Sequence, residues 1–127
     1  MNDELIRALI DRADQALEDA HYLLFERRSF ESAVLRAYYA MYYAAEACLL
    51  SVDERVSSHK GLITQFGRRF VKEGIIEVAY GRMLSTIYQK RQLGDYEISY
   101  TLSEAETSGA ITNASAFVER VKMYLQA

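Results

Sequence analysis

No proline interrupts this chain of 127 residues, although average usage of about 5% would place roughly six in it. Proline removes a backbone donor and clashes with the preceding helical turn, so its absence leaves every segment free to run as helix. The apolar spacing uses that freedom. From Asp3 to about Arg27, residues Leu5, Leu9, Ala13, Ala16, Leu17, Ala20, Leu23 and Leu24 recur at three- and four-residue steps. That is the stripe of an amphipathic helix, about 36 Å long at 1.5 Å per residue. Arg27 and Arg28 suit the negative end of its dipole, and Ser29 can cap a second helix from Phe30 to about Leu50. This second helix carries Ala33, Ala37, Ala40, Ala44 and Ala45, small residues that let neighbours approach, and it is expected at the centre.

Ser57 or Ser58 can cap a third helix from His59 to about Lys72, with Leu62, Ile63, Phe66 and Phe70 as its stripe and Gly74 as its left-handed stop. A fourth follows from Ile75 to about Gln89, leaning inward through Val78, Ala79, Met83, Leu84, Ile87 and Tyr88. Lys90 to Leu102 loses the stripe and reads as an ordered loop. Ser103 and Glu106 form a capping box for a last helix striped by Ala110, Ile111, Ala114, Phe117, Val118, Val121 and Leu125. The expectation is an all-α fold: one domain over residues 1–127, an antiparallel up-and-down bundle of four long helices plus a shorter fifth.

Half the residues are hydrophobic and 26% charged, the mix of a globular domain that folds without staples. A single cysteine, Cys48, excludes an internal disulfide framework and reads as a core residue of a reducing compartment. No apolar run reaches the roughly 18 residues of a membrane span, and Asp3, Glu4 and Arg7 stand where a secretory signal would be apolar, so a cytoplasmic protein without membrane contact is expected. The net charge of -3 excludes nucleic-acid binding by global charge. Any RNA contact has to come from a local patch.

Conventional catalytic patterns are missing. Two histidines, His21 and His59, lie far apart and cannot form a metal-binding pair at helical spacing, six dispersed glycines make no phosphate loop, and no serine sits at a strand-to-helix elbow. Neither a metal ion nor another cofactor is expected. Two places draw attention. Tyr38, Tyr39, Tyr42 and Tyr43 are adjacent pairs four apart, hence two rows about 100° apart on one helix, of which one can be buried and the other face a partner. Lys90, Arg91, Asp95 and Tyr96 gather two cations, a carboxylate and a phenol around Gly94. Arginine can clamp a phosphate and tyrosine can donate a proton or stack on a base; the plainer reading is an Arg91–Asp95 ion pair with Tyr96 packed on a helix end.

Arg36 to Ala45 with its tyrosine pairs, then Ser58-His59-Lys60-Gly61 with Phe66-Gly67 and Phe70-Val71, then Arg91-Gln92-Leu93-Gly94-Asp95-Tyr96 and the capped last helix, together resemble a HEPN domain over nearly the whole chain. The resemblance implies a homodimeric helical bundle of the small stand-alone prokaryotic kind, paired with a minimal nucleotidyltransferase as toxin and antitoxin. Many such proteins are metal-independent endoribonucleases whose motif is an arginine followed, after four to six intervening residues, by a histidine. Here Arg91 is followed by Tyr96 at the histidine's place, so these two inherit the catalytic role by position. With a reference pKa near 10, tyrosine is a proton donor or orienter rather than a base. The resemblance also makes Tyr96 and Tyr100 candidates to receive AMP from the partner.

Lys90 and Asp95 join the motif as binding candidates. His59 and Lys60, on the first turn of the third helix, could hold an anion, against a plain reading of capping and a solvated lysine. Arg36 could face the cleft beside Tyr39 and Tyr43, against an ion pair with a carboxylate such as Glu46 or one on the first helix. RNA or a nucleotide is the expected small partner. The alternative is a non-catalytic nucleotide- or partner-binding helical module, and a third reading is a structural adaptor.

Overall fold

The structure is a computed structural model and describes residues 2–96 and 101–126, with 93–96 described by their backbone alone. Among the described residues there are five helices and no strand: α1 (Asn2–Phe25), α2 (Phe30–Leu50), α3 (His59–Phe66), α4 (Val78–Tyr96) and α5 (Glu104–Gln126). The all-α bundle is therefore observed, with α3 as the short member. α3 runs on as a single π-helical stretch, Gly67–Val71, before the chain turns.

α2 is the hub and packs against all four other helices. Its alanines Ala33, Ala37, Ala40, Ala44, Ala45 and Ala47 are completely buried, and so is Cys48, whose thiol burial pushes up to about 12. α1 buries Leu9, Ala13, Ala16, Ala20 and Leu24 of the predicted stripe onto it, with Leu17 and Leu23 half-buried, whereas Leu5, near the start of the helix, is exposed. On the far side Phe66, Phe70 and Phe117 interlock, with ring centroids 5.5 and 5.4 Å apart, and fasten the α3 segment to α5. Each such fully buried ring contributes about 1.5–3 kcal/mol of transfer free energy.

The helix ends show how the turns are made. α2 closes in a six-residue hydrogen-bonded loop, Glu54 N–H to Leu49 carbonyl and Asp53 N–H to Leu50 carbonyl, with Asp53 at φ 59°. The same pattern ends the α3 segment at Gly74, φ 76°, where Ile75 N–H reaches the Phe70 carbonyl. A left-handed residue at this place satisfies otherwise orphaned carbonyls, and glycine adopts it without steric cost. Ser58 caps α3 by accepting from Gly61 N–H at 2.9 Å. Ser103 and Glu106 exchange both bonds of the expected capping box, at 3.0 and 3.2 Å. Ser29 occupies the cap position of α2, yet its side chain makes no capping bond.

Two expectations fail in the fourth helix. It starts at Val78, which is exposed along with Ala79, so neither leans inward. It also continues through Lys90 to Tyr96, the stretch read as loop. Lys90, Arg91, Gln92 and Leu93 are strong helix formers, and contacts outside an apolar stripe hold them. Gln92 donates to the Tyr88 hydroxyl at 3.0 Å and Lys90 pairs with Glu106 of α5 at 3.7 Å. Among the described residues, no helix is long and apolar enough to cross a membrane.

Candidate functional site

α2, α3 and α4 meet around the side chain of Tyr38. The ring is wholly buried, and its hydroxyl shares a 2.5 Å hydrogen bond with Nδ1 of His59. The Ser58 cap fixes the first turn of α3, which sets where His59 leaves the helix. The imidazole lies nearly parallel to Tyr38, 5.7 Å between centroids, and 4.7 Å from the ring of Tyr42; Tyr39 meets it edge-on at 6.0 Å. From α4, the guanidinium carbon of Arg91 stands 5.3 Å from the Tyr38 centroid, and Tyr88 packs at 6.0 Å.

The electrostatics follow from this packing. Burial holds the Tyr38 phenol well above its usual titration range, opposed by the nearby Arg91 charge, so Tyr38 is neutral at any physiological pH. His59 is shifted below the ordinary histidine value, first by burial and then by repulsion from Arg91. A half-buried imidazole that stays neutral near pH 7, beside a permanent cation, can accept a proton while the cation holds an anion. Tyr42 is also raised, by burial and by Glu46, whose own carboxyl is raised by burial against the pull of Arg12 and Arg55.

The predicted residues separate into groups. Arg91 and His59 are brought to the same tyrosine from different helices. Lys60, next to His59, is exposed. Arg36 lies over the ring of Tyr39 at 5.7 Å, and its buried Nε has no hydrogen-bond partner among the described residues. The ion pair with Glu46 is not formed. Lys90 is engaged by Glu106, although with Arg91 it also borders a hollow of about 160 Å³ that includes Glu31 and Ser32. The side chains of Asp95 and Tyr96, and Tyr100 altogether, lie outside the described residues. Sequence reasoning missed Tyr38 as the hub. It singled out His59 for an anion-binding turn, but nothing in the spacing links His59 to Arg91, because their meeting depends on two helices crossing the same face of α2. Groups of three or more metal-ligating side chains do not occur among the described residues.

An all-α bundle built around a tyrosine-rich central helix is the class of protein to which the comparisons also point. Residues 6–124 match the HEPN domain, and the chain belongs to that family. It is 40% identical over 123 residues to a Methanocaldococcus jannaschii protein named "Putative toxin MJ0605", covering 97% of this chain and 90% of that one. A UPF0332 protein of Thermotoga maritima is 32% identical over 115 residues, 91% of this chain and 86% of its own length. A second M. jannaschii protein, "Putative toxin MJ0142", is 28% identical over 120 residues, 94% and 81% of the two chains.

Proposed function

We propose that this HEPN protein is a toxin-like, metal-independent endoribonuclease that works as a homodimer and is paired with a minimal nucleotidyltransferase. The observation that carries the reading is the placement of the Arg91 guanidinium 5.3 Å from the Tyr38 ring whose hydroxyl bonds His59. A fixed cation next to a neutral histidine suits a reaction in which negative charge builds on phosphorus. The toxin names of relatives that span nearly the whole chain support the same direction.

In the proposed reaction a ribose 2′-hydroxyl attacks the adjacent phosphate, Arg91 stabilises the charge on the non-bridging oxygens, and Tyr96, by its motif position, donates a proton to the departing oxygen. Tyr96 or Tyr100 is the residue that the nucleotidyltransferase would modify with AMP. Half-buried Tyr39, Tyr42 and Tyr43 leave ring surface for a base to stack on or for the second protomer to cover.

The test is cleavage of a short single-stranded RNA by the purified protein in a chelator-containing buffer. Fragments ending in 2′,3′-cyclic phosphate are expected, with Arg91→Ala slowing their appearance about 100- to 1000-fold. Intact RNA, or equal cleavage by Arg91→Ala, removes the enzyme reading. In that case stabilisation of the fold by a mononucleotide would favour the non-catalytic binding module.

A further inference from the structure

We infer that His59, a residue outside the motif and supplied by α3, is the general base of the reaction assigned to Arg91, and that buried Tyr38 is its positioning residue. The inference rests on the ribonuclease reading above and adds to it the group that takes the proton. The motif position downstream of Arg91 carries Tyr96, a side chain that is a weak base at neutral pH. The fold delivers an imidazole to the tyrosine that Arg91 covers, by another route. His59 is half-buried, its Nδ1 is tied to Tyr38, and the ring is held from three sides by Tyr38, Tyr39 and Tyr42 of α2. An imidazole restrained at Nδ1 and in contact with aromatic faces has one nitrogen, Nε2, left for chemistry.

The charge balance fits that task. Among the described residues, the titratable and charged groups facing His59 are the phenols of Tyr38, Tyr39 and Tyr42 from α2 and the Arg91 guanidinium from α4. None of these is a carboxylate that would hold the ring protonated. In the tautomer that acts as base, Nδ1–H donates to the Tyr38 oxygen and the lone pair lies on Nε2. In the step itself, Nε2 takes the proton of the 2′-hydroxyl as that oxygen bonds to phosphorus. The bond from phosphorus to the 5′-oxygen breaks, the departing oxygen takes a proton from Tyr96, and exchange with water resets both side chains.

The experiment compares wild type, His59→Ala, His59→Gln, Tyr38→Phe and Arg91→Ala on the same RNA, with a thermal melt of each to confirm folding. His59→Ala is expected to lose about 100- to 10,000-fold in rate. Added imidazole should restore part of it, a rescue that lost packing alone would not allow. The wild-type rate should rise with pH to a plateau, with a midpoint below the usual histidine value of about 6.5. Tyr38→Phe should cut the rate about tenfold, move that midpoint, and shift the nitrogen-15 signals of His59 toward the other tautomer. If Arg91→Ala abolishes cleavage while both His59 variants stay within threefold of wild type, the inference is wrong and the ribonuclease reading stands. A wild type that leaves RNA intact overturns both. Should Tyr38→Phe leave pH profile and tautomer unchanged, its positioning role is excluded.

Discussion

Tyr38 and Tyr39 are identical residues at consecutive positions of one helix, and the fold treats them differently. Tyr38 is enclosed between α3 and α4, with Arg91 above its ring and His59 on its hydroxyl. Tyr39 remains half-exposed beneath Arg36 of its own helix. Each has a cation over its face, at 5.3 and 5.7 Å. The Arg36–Tyr39 pair is three residues apart and would form in an isolated helix. The Arg91–Tyr38 pair exists only because α4 crosses α2. Similar local chemistry thus stays within one helix in one case and joins two helices in the other, and a turn of about 100° between neighbours decides which.

Truncation should test this contrast most strongly. Tyr38→Ala opens a large hole at the junction of three helices and should cost about 3–5 kcal/mol, against about 1 kcal/mol for Tyr39→Ala. Urea melts of the two variants measure the difference, and equal losses would break the comparison. Removing only the hydroxyl sharpens it. Tyr38→Phe takes away the partner of His59 and should cost about 1 kcal/mol, whereas Tyr39→Phe should stay within about 0.5 kcal/mol of wild type.

Arg36→Ala removes a local, half-exposed cation–ring contact and should cost about 0.5–1 kcal/mol in the same melts. A last change is confined to alkaline solution. The folded protein holds the Tyr38 proton above the pH at which the unfolded chain releases it. The unfolded state then binds fewer protons, so stability is full below about pH 10 and falls as pH rises beyond it. Denaturation followed from pH 9 to 11 should show that decline in wild type and a shallower one in Tyr38→Phe. Identical slopes would mean that Tyr38 is not sealed from solvent.

Much of the fold was readable residue by residue. The Leu9-to-Leu24 stripe, the Ser58 cap, the Gly74 stop and the Ser103–Glu106 box are local patterns whose partners lie within a few positions, so their outcome depends little on the rest of the chain. The end of α4 was misread because an apolar stripe was demanded of it. Lys90 to Tyr96 is helical through good intrinsic formers and polar contacts such as Lys90–Glu106, a partner from a separate helix. For the site, Arg91 and His59 were each visible as cations or bases near a turn, but as unconnected candidates.

What the sequence by itself determined is the set of helices and the two tyrosine rows, since hydrophobic period, caps and the lack of proline act over one or two turns. Only the tertiary structure decided which tyrosine is buried and which basic residues share it. Those outcomes depend on the order in which helices pack around α2, and side chains distant in the chain feel one another only after that packing has removed water from between them.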